Sequence, residues 1–402
     1  MPPEHTAISV YPAGDLRVPG DPWGRDTGQD RTPGRPVERL CWADNLRVLV
    51  IAAVVVFHTA TAYLGGPSWY FMQRVTSGTW SSLVFPGEVI AAFALGPLFL
   101  VAGWFSARSV AHRGAGAFAL ARLLRLGIPL LAYVFLINGL ASYVGQLRQE
   151  HHPSLAGLLG SSFGLGPMWF VAALLSFSLA YALLRRLREA VAPRRRPTVH
   201  VLVAAAALIA VVGYLTWQRW PLDGATTFLD ARWAEWPQGA VLFGLGAWAG
   251  QASSLDDLTA RARRLGWTAL SAVAALAAVL GYEQERGTLG SALHGAGWPT
   301  MLMAVLYGVI SVAFSVWFTA IVRARWSGSG PLRARAGQAS YATYFLHPLV
   351  LTAIMVLFGS LAIAPELKLL IVAVLAVPVC FLAGDTATRL LGTHKARMRR
   401  PG

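Results

Sequence analysis

The stretch DNLRVLVIAAVVVFHTATAYL, residues 44–64, decides the fold class. From Leu46 to Phe57 every residue except Arg47 is apolar, and the apolar run resumes after His58. A helix rises about 1.5 Å per residue and a bilayer core is about 30 Å thick, so a run of this length reads as a membrane span. The whole chain agrees: of its 402 residues 55% are hydrophobic and 13% are charged, against roughly 25% charged in a soluble domain. A histidine inside such a span, with an arginine one helix face below it, is a functional candidate by default.

Nine further runs have spanning length, so the sequence predicts an all-α, polytopic membrane helix bundle. Its ten transmembrane helices lie near 46–64, 86–107, 125–144, 167–186, 199–217, 234–250, 266–283, 299–322, 340–359 and 368–391. The weakest is 234–250, short and Gly-rich. Residues 1–40, rich in Pro, Gly, Asp and Arg without apolar periodicity, read as a disordered cytoplasmic tail. They hold no signal-peptide core, so the first span is expected to be an uncleaved anchor. The membrane domain is placed at 41–392 and a basic cytoplasmic tail at 393–402.

Orientation follows from the basic residues. The formal net charge is +15, with 34 basic against 19 acidic residues. The basic residues cluster in alternate connections: Arg108 to Arg125, Arg185 to Arg196, Arg261 to Arg264, Arg323 to Arg335 and the C-terminal end. Placing these and the N-terminal tail in the cytoplasm leaves only six of the 34 on the far side, as the positive-inside rule requires. Both termini are then cytoplasmic, and the clusters suit contact with anionic lipids. No basic patch is interleaved with stacking aromatics, so nucleic acid is set aside. Cys41 and Cys380 offer neither a disulfide framework nor a metal-ligand spacing.

Three constellations carry chemistry. Arg47 and His58 are eleven residues apart, three turns plus roughly 20°, so they share one face about 16 Å apart along the axis; Asp44 stands one turn before Arg47 on nearly the same face. No other ring is expected at the depth of His58. Arg122 and Arg125, in ARLLRLGIP, are neighbours at the predicted start of the third span; their guanidinium forks suit a phosphate-rich ligand or, equally, lipid phosphates and topology. In SYATYFLHP, Ser340, Tyr344 and His347 form one stripe, with His347 about 10 Å into the bilayer by helical rise. His347 is read either as a second site histidine or as the partner of the kink at Pro348. Glu88 and Trp169 add polar or aromatic groups at far-side span ends. More than half of the 15 tryptophans, among them Trp69, Trp217, Trp233 and Trp298, fall in such positions. They form either an aromatic belt or a stacking surface for sugars.

These motifs, taken in order, resemble the membrane-bound acyltransferase-3 family. DNLRVLVIAAVVVFHTATAYL is similar to that family's first span, with a basic residue, ten residues, then histidine. RLLRLGIP is similar to its paired arginines, and FLVAGWFSARS to its FFxxSGyfs segment, with Ala102 in place of the usual serine. MWFVAALL, SYATYFLHP and YLGGPSWYF match further signatures, over about 38–391. The resemblance implies an O-acyltransferase of the cell membrane. Acyl-CoA would be its donor, with no tightly bound cofactor, and a hydroxyl of a sugar or cell-envelope glycan its acceptor, or in a minority of members a small natural product. It implies His58 as catalytic histidine, as base or acyl relay, and Arg47, Arg122 and Arg125 as the CoA-binding residues. Asp44, Glu88, Trp169, Tyr344 and His347 are expected to support the substrate or the site. A homo-oligomer is left open. The competing classes are a transporter or flippase of a lipid-linked glycan, and a non-catalytic receptor or scaffold; the clustering of charge at the cytoplasmic rim argues against the first.

Overall fold

The computed structural model describes residues 40–64, 69–75, 93–148, 164–187, 199–220, 231–251, 255, 261–289 and 295–398, with backbone alone for 392–398. Among these there is no strand, and each of the ten runs coincides with a helix. The helices are α1 (Cys41–Leu64), α2 (Gly96–Arg113), α3 (Ala115–Gln146), α4 (Gly166–Leu187), α5 (Val199–Trp217), α6 (Trp236–Gln251), α7 (Ala262–Glu285), α8 (Trp298–Arg325), α9 (Pro331–Gly359) and α10 (Pro365–Met398). Over the described residues, eight are long and apolar enough to cross a membrane by themselves. The two that are not, α2 and α6, make one of the closest pairs in the bundle.

Glycine makes that pairing. Gly103 lies against the Phe243 carbonyl, Gly246 against the Leu100 carbonyl, and Gly250 against Trp104 and Ala107. Two short helices with backbones in contact bury each other where hydrophobic length alone would not hold them. α8 sits centrally, touching α1, α2, α5, α6 and α7, while α9 packs on α1, α3 and α10. Outward, α3 exposes Leu124, Ile128, Leu131, Phe135 and Leu136, and α10 exposes Leu370, Val374 and Leu382. Such apolar faces belong in lipid rather than water.

Two helices start earlier than the sequence suggests. α3 begins at Ala115, so Arg122 and Arg125 lie about two turns inside it, not at its opening. Gly114, with φ +78°, ends α2 and turns the chain, and the residues that follow, AGAFALAR, contain no proline. α3 also carries two π-helical turns, Leu123–Gly127 and Tyr133–Ile137. The first precedes Pro129, whose missing N–H leaves the Arg125 carbonyl without its i+4 donor. α9 begins at Pro331, a favoured first-turn residue, so SYATYFLHP lies mid-helix. α10 runs through Met398, past the predicted boundary at 392.

Candidate active site

His58 stands 17 residues after the start of α1 and His347 stands 16 after the start of α9. Both rises are about 25 Å, so neighbouring helices starting from one end of the bundle bring the two histidines to the same level. Their ring centroids are 5.4 Å apart with planes 22° from parallel. This corrects one expectation: His58 is not the only ring at its depth. A third ring joins them. Trp69 lies 4.4 Å from His58 and 6.4 Å from His347, again nearly parallel. Its place at the site comes from the irregular segment 69–75. That segment returns along α1 through Gln73 N–H to the Ala62 carbonyl (3.2 Å) and Val75 N–H to the Tyr63 carbonyl (2.9 Å). Beside Trp69, the Tyr70 hydroxyl bonds Tyr133 (2.8 Å) and Asn138, and the Tyr70 carbonyl fits against Gly145, where a Cβ would overlap it.

Proline shapes the second histidine. Pro348 has no N–H to give to the Tyr344 carbonyl, its i−4 partner. His347 Nδ1 lies 2.6 Å from that carbonyl and takes the vacant position. Tyr344 in turn donates its hydroxyl to the Pro167 carbonyl, tying α9 to the start of α4. His347 is fully buried. His347 Nε2, His58 Nδ1 and Trp69 Nε1 are shielded atoms without a hydrogen-bond partner, a state that is rare among buried polar groups.

Toward the other end of α1, Arg47 Nη1 pairs with Asp44 Oδ1 at 2.9 Å, and the Arg47 side chain is 43% exposed. Asn45 fastens α1 to the connection between α8 and α9 through the Trp326 and Gly328 carbonyls. Arg122 donates to Ser106 Oγ at 3.1 Å, and Ser106 is anchored on the Ala102 carbonyl at 2.7 Å. The FLVAGWFSARS segment thus positions Arg122 through Ser106, whatever stands at 102. The charges of Arg125 and Arg47 both reach Arg122, so α1 and α3 bring three guanidiniums near one another, with Ser106 of α2 holding the middle one. From there Arg125 acts on Tyr341, one turn below Tyr344 on the way to His347. A cavity of about 440 Å³ opens beside this cluster, lined by Cys41, Asp44, Asn45, Gly328 and Arg333.

The other expected residues divide. Trp169 is buried in the main core, edge-on to Phe170, which packs edge-on to Tyr344. Glu88 lies outside the described residues. One pair was not anticipated. Arg232, in the left-handed region at φ +50°, binds Glu235 through Nε (2.9 Å) and Nη2 (2.7 Å) at the start of α6. Glu235 is 3% exposed, and the Arg232 charge reaches His58. An acid and a base three apart in RWAEW, opening the shortest run, were the available signal. Among the described residues no group of His, Cys, Asp or Glu is placed to hold a metal ion.

Comparison with known proteins adds one finding. Neither the curated proteins nor the solved structures include a match to this chain. The acyltransferase domain family, however, matches residues 41–385, from the first residue of α1 to Asp385 in α10. The matched length takes in every helix of the bundle, both histidines and all three gathered arginines, and the chain therefore belongs to the membrane acyltransferase-3 family.

Proposed function

We propose that this membrane acyltransferase takes an acyl group from cytoplasmic acyl-CoA and passes it to a hydroxyl of a sugar or cell-envelope glycan. Arg47, Arg122 and Arg125 hold the phosphates of CoA, and His58 serves the transfer as base or acyl relay. The observation that carries this reading is the joint geometry of the two clusters. Arg47 and Arg125 both lie within electrostatic reach of Arg122, and His58 lies about 16 Å beyond Arg47 along α1 by helical rise, a separation that an extended pantetheine arm can span. A thioester is already activated. The hydroxyl needs a base, and a well-placed histidine contributes typically 10²–10⁴-fold.

The donor site is tested by alanine at each arginine. Charged hydrogen bonds are worth about 1.5–3 kcal/mol, so Arg122→Ala and Arg125→Ala are each expected to weaken acyl-CoA binding by roughly tenfold or more. Arg122→Ala should do more harm, since Arg122 is the one already oriented by Ser106. Equal binding by the double variant and the wild type, measured by calorimetry, returns both arginines to a topological role.

The direction of transfer rests on the N-terminus being cytoplasmic. Reporter fusions after residue 150 are expected to read as external and fusions after residue 192 as cytoplasmic, following the positive-inside rule. The reverse pattern would put the arginines on the wrong side for cytoplasmic acyl-CoA.

A further inference from the structure

Resting on the acyltransferase reading above, we infer that His347 is a second catalytic residue: its Nε2 is the atom that takes the proton from the acceptor hydroxyl. The argument begins at Pro348. The proline leaves the Tyr344 carbonyl without its helical donor, and His347 Nδ1 sits 2.6 Å from that oxygen. A carbonyl oxygen only accepts, so Nδ1 carries the hydrogen. A neutral imidazole has one N–H, so Nε2 is left with a lone pair and no hydrogen. That atom is buried and without a partner, on a ring 5.4 Å from His58. A group fixed as acceptor-only beside the first site histidine has the form of a general base with its tautomer locked, as a buried carboxylate locks the histidine of a hydrolase triad. Here a proline and a backbone carbonyl do the locking. His58 has no such lock, because its Nδ1 is also without a partner.

This divides the work between the rings. In the first step a His58 nitrogen attacks the thioester carbonyl and the carbon–sulfur bond breaks. CoA leaves as the thiol, taking the proton from the other His58 nitrogen. In the second step the acceptor oxygen bonds to the acyl carbon while its proton passes to His347 Nε2. The carbon–nitrogen bond to His58 then breaks, and the proton on His347 returns to His58. Atoms and charges balance over the two steps, and no further reactant is needed.

The test uses the full-length protein in detergent, radiolabelled acetyl-CoA or succinyl-CoA, and water as acceptor. It follows thiol release and, by rapid quench, label retained on the protein. Wild type is expected to release thiol continuously. His347→Asn keeps an N–H for the Tyr344 carbonyl and lacks the basic nitrogen. It should release about one equivalent of thiol, hold the label, and turn over at least about 100-fold more slowly, the usual contribution of a general base, with an unchanged melting temperature. Pro348→Ala returns an N–H that competes for the Tyr344 carbonyl. It should slow turnover several-fold in the wild-type background and have no effect beside His347→Asn, since coupled residues are non-additive. Turnover by His347→Asn within tenfold of wild type makes His347 a structural clamp and overturns the inference. So does loss of its first thiol equivalent. A wild type that binds acyl-CoA and releases no thiol sinks the acyl-CoA reading itself, which is a different failure.

Discussion

His58→Ala is expected to lower acyl transfer by at least about 100-fold while acyl-CoA binding stays within about twofold of wild type. The size follows from the work assigned to the ring. Removing a base or nucleophile forfeits the 10²–10⁴-fold that such a group contributes. The sparing of binding follows from distance, because Arg47 lies about three turns below His58 on α1, and its charge reaches Arg122 of α3. Alanine also removes the ring that Trp69 and His347 pack against, so a second variant is needed to separate chemistry from packing. His58→Gln fills most of that volume and can hydrogen-bond, but its amide neither accepts a proton at neutral pH nor forms an acyl intermediate. It should be as inactive as alanine, with a melting temperature close to wild type. If the glutamine variant retains more than about a tenth of wild-type activity, His58 is structural.

The second large effect is on assembly. Gly246→Leu is expected to destabilise the bundle severely, and Gly103→Leu to do the same. At both positions the obstacle is a backbone carbonyl on the partner helix, Leu100 for Gly246 and Phe243 for Gly103. A flexible side chain can swing away; a carbonyl moves only with its helix. Overpacking a tight interior costs about 1–3 kcal/mol and sometimes more, and here the displaced helix is α2, which carries Ser106 and so the anchor of Arg122. Each variant should melt well below wild type and lose acyl-CoA affinity with it. Gly244 is the control: it lies on the same helix with nothing within 4 Å of an added Cβ, so Gly244→Ala should be neutral or stabilising by up to about 1 kcal/mol. Melting of Gly246→Leu within a degree or two of wild type would refute the close-packing account of α2 and α6.

The membrane class was plain from apolar runs and sparse charge, and each of the ten runs proved helical where described. Even the weak run at 234–250 is a helix, although its support is Gly-mediated contact with α2, which no hydropathy window registers. Within the site, Arg47, Asp44 and His58 could be placed on one face because they share one helix, and helical rise is local arithmetic. That His347 meets His58 was not legible, because the levels of residues on two different helices depend on how those helices pack. Trp69 was unreadable as a site residue for a different reason: its position comes from backbone hydrogen bonds between residues 73–75 and the end of α1, and an irregular segment has no apolar period to betray where it docks. Arg232 was counted as one far-side charge among six, since burial of an ion pair is a property of its neighbours.

The two wide turns of α3 bear on how this protein tolerates insertion and deletion. A π turn accommodates one residue more than the α-helix around it, and it confines the resulting change of direction to that turn. One lies just after Arg122 and contains Arg125; the other begins at Tyr133 and ends just before Asn138. Losing a residue inside either turn would let it relax to α geometry. Losing one anywhere else along α3 would rotate everything beyond by about 100°, carrying Tyr133 and Asn138 away from Tyr70. α3 is therefore built in sections whose angular settings can drift apart over evolutionary time, one for the arginines and one for the tyrosine contact, within a single unbroken rod.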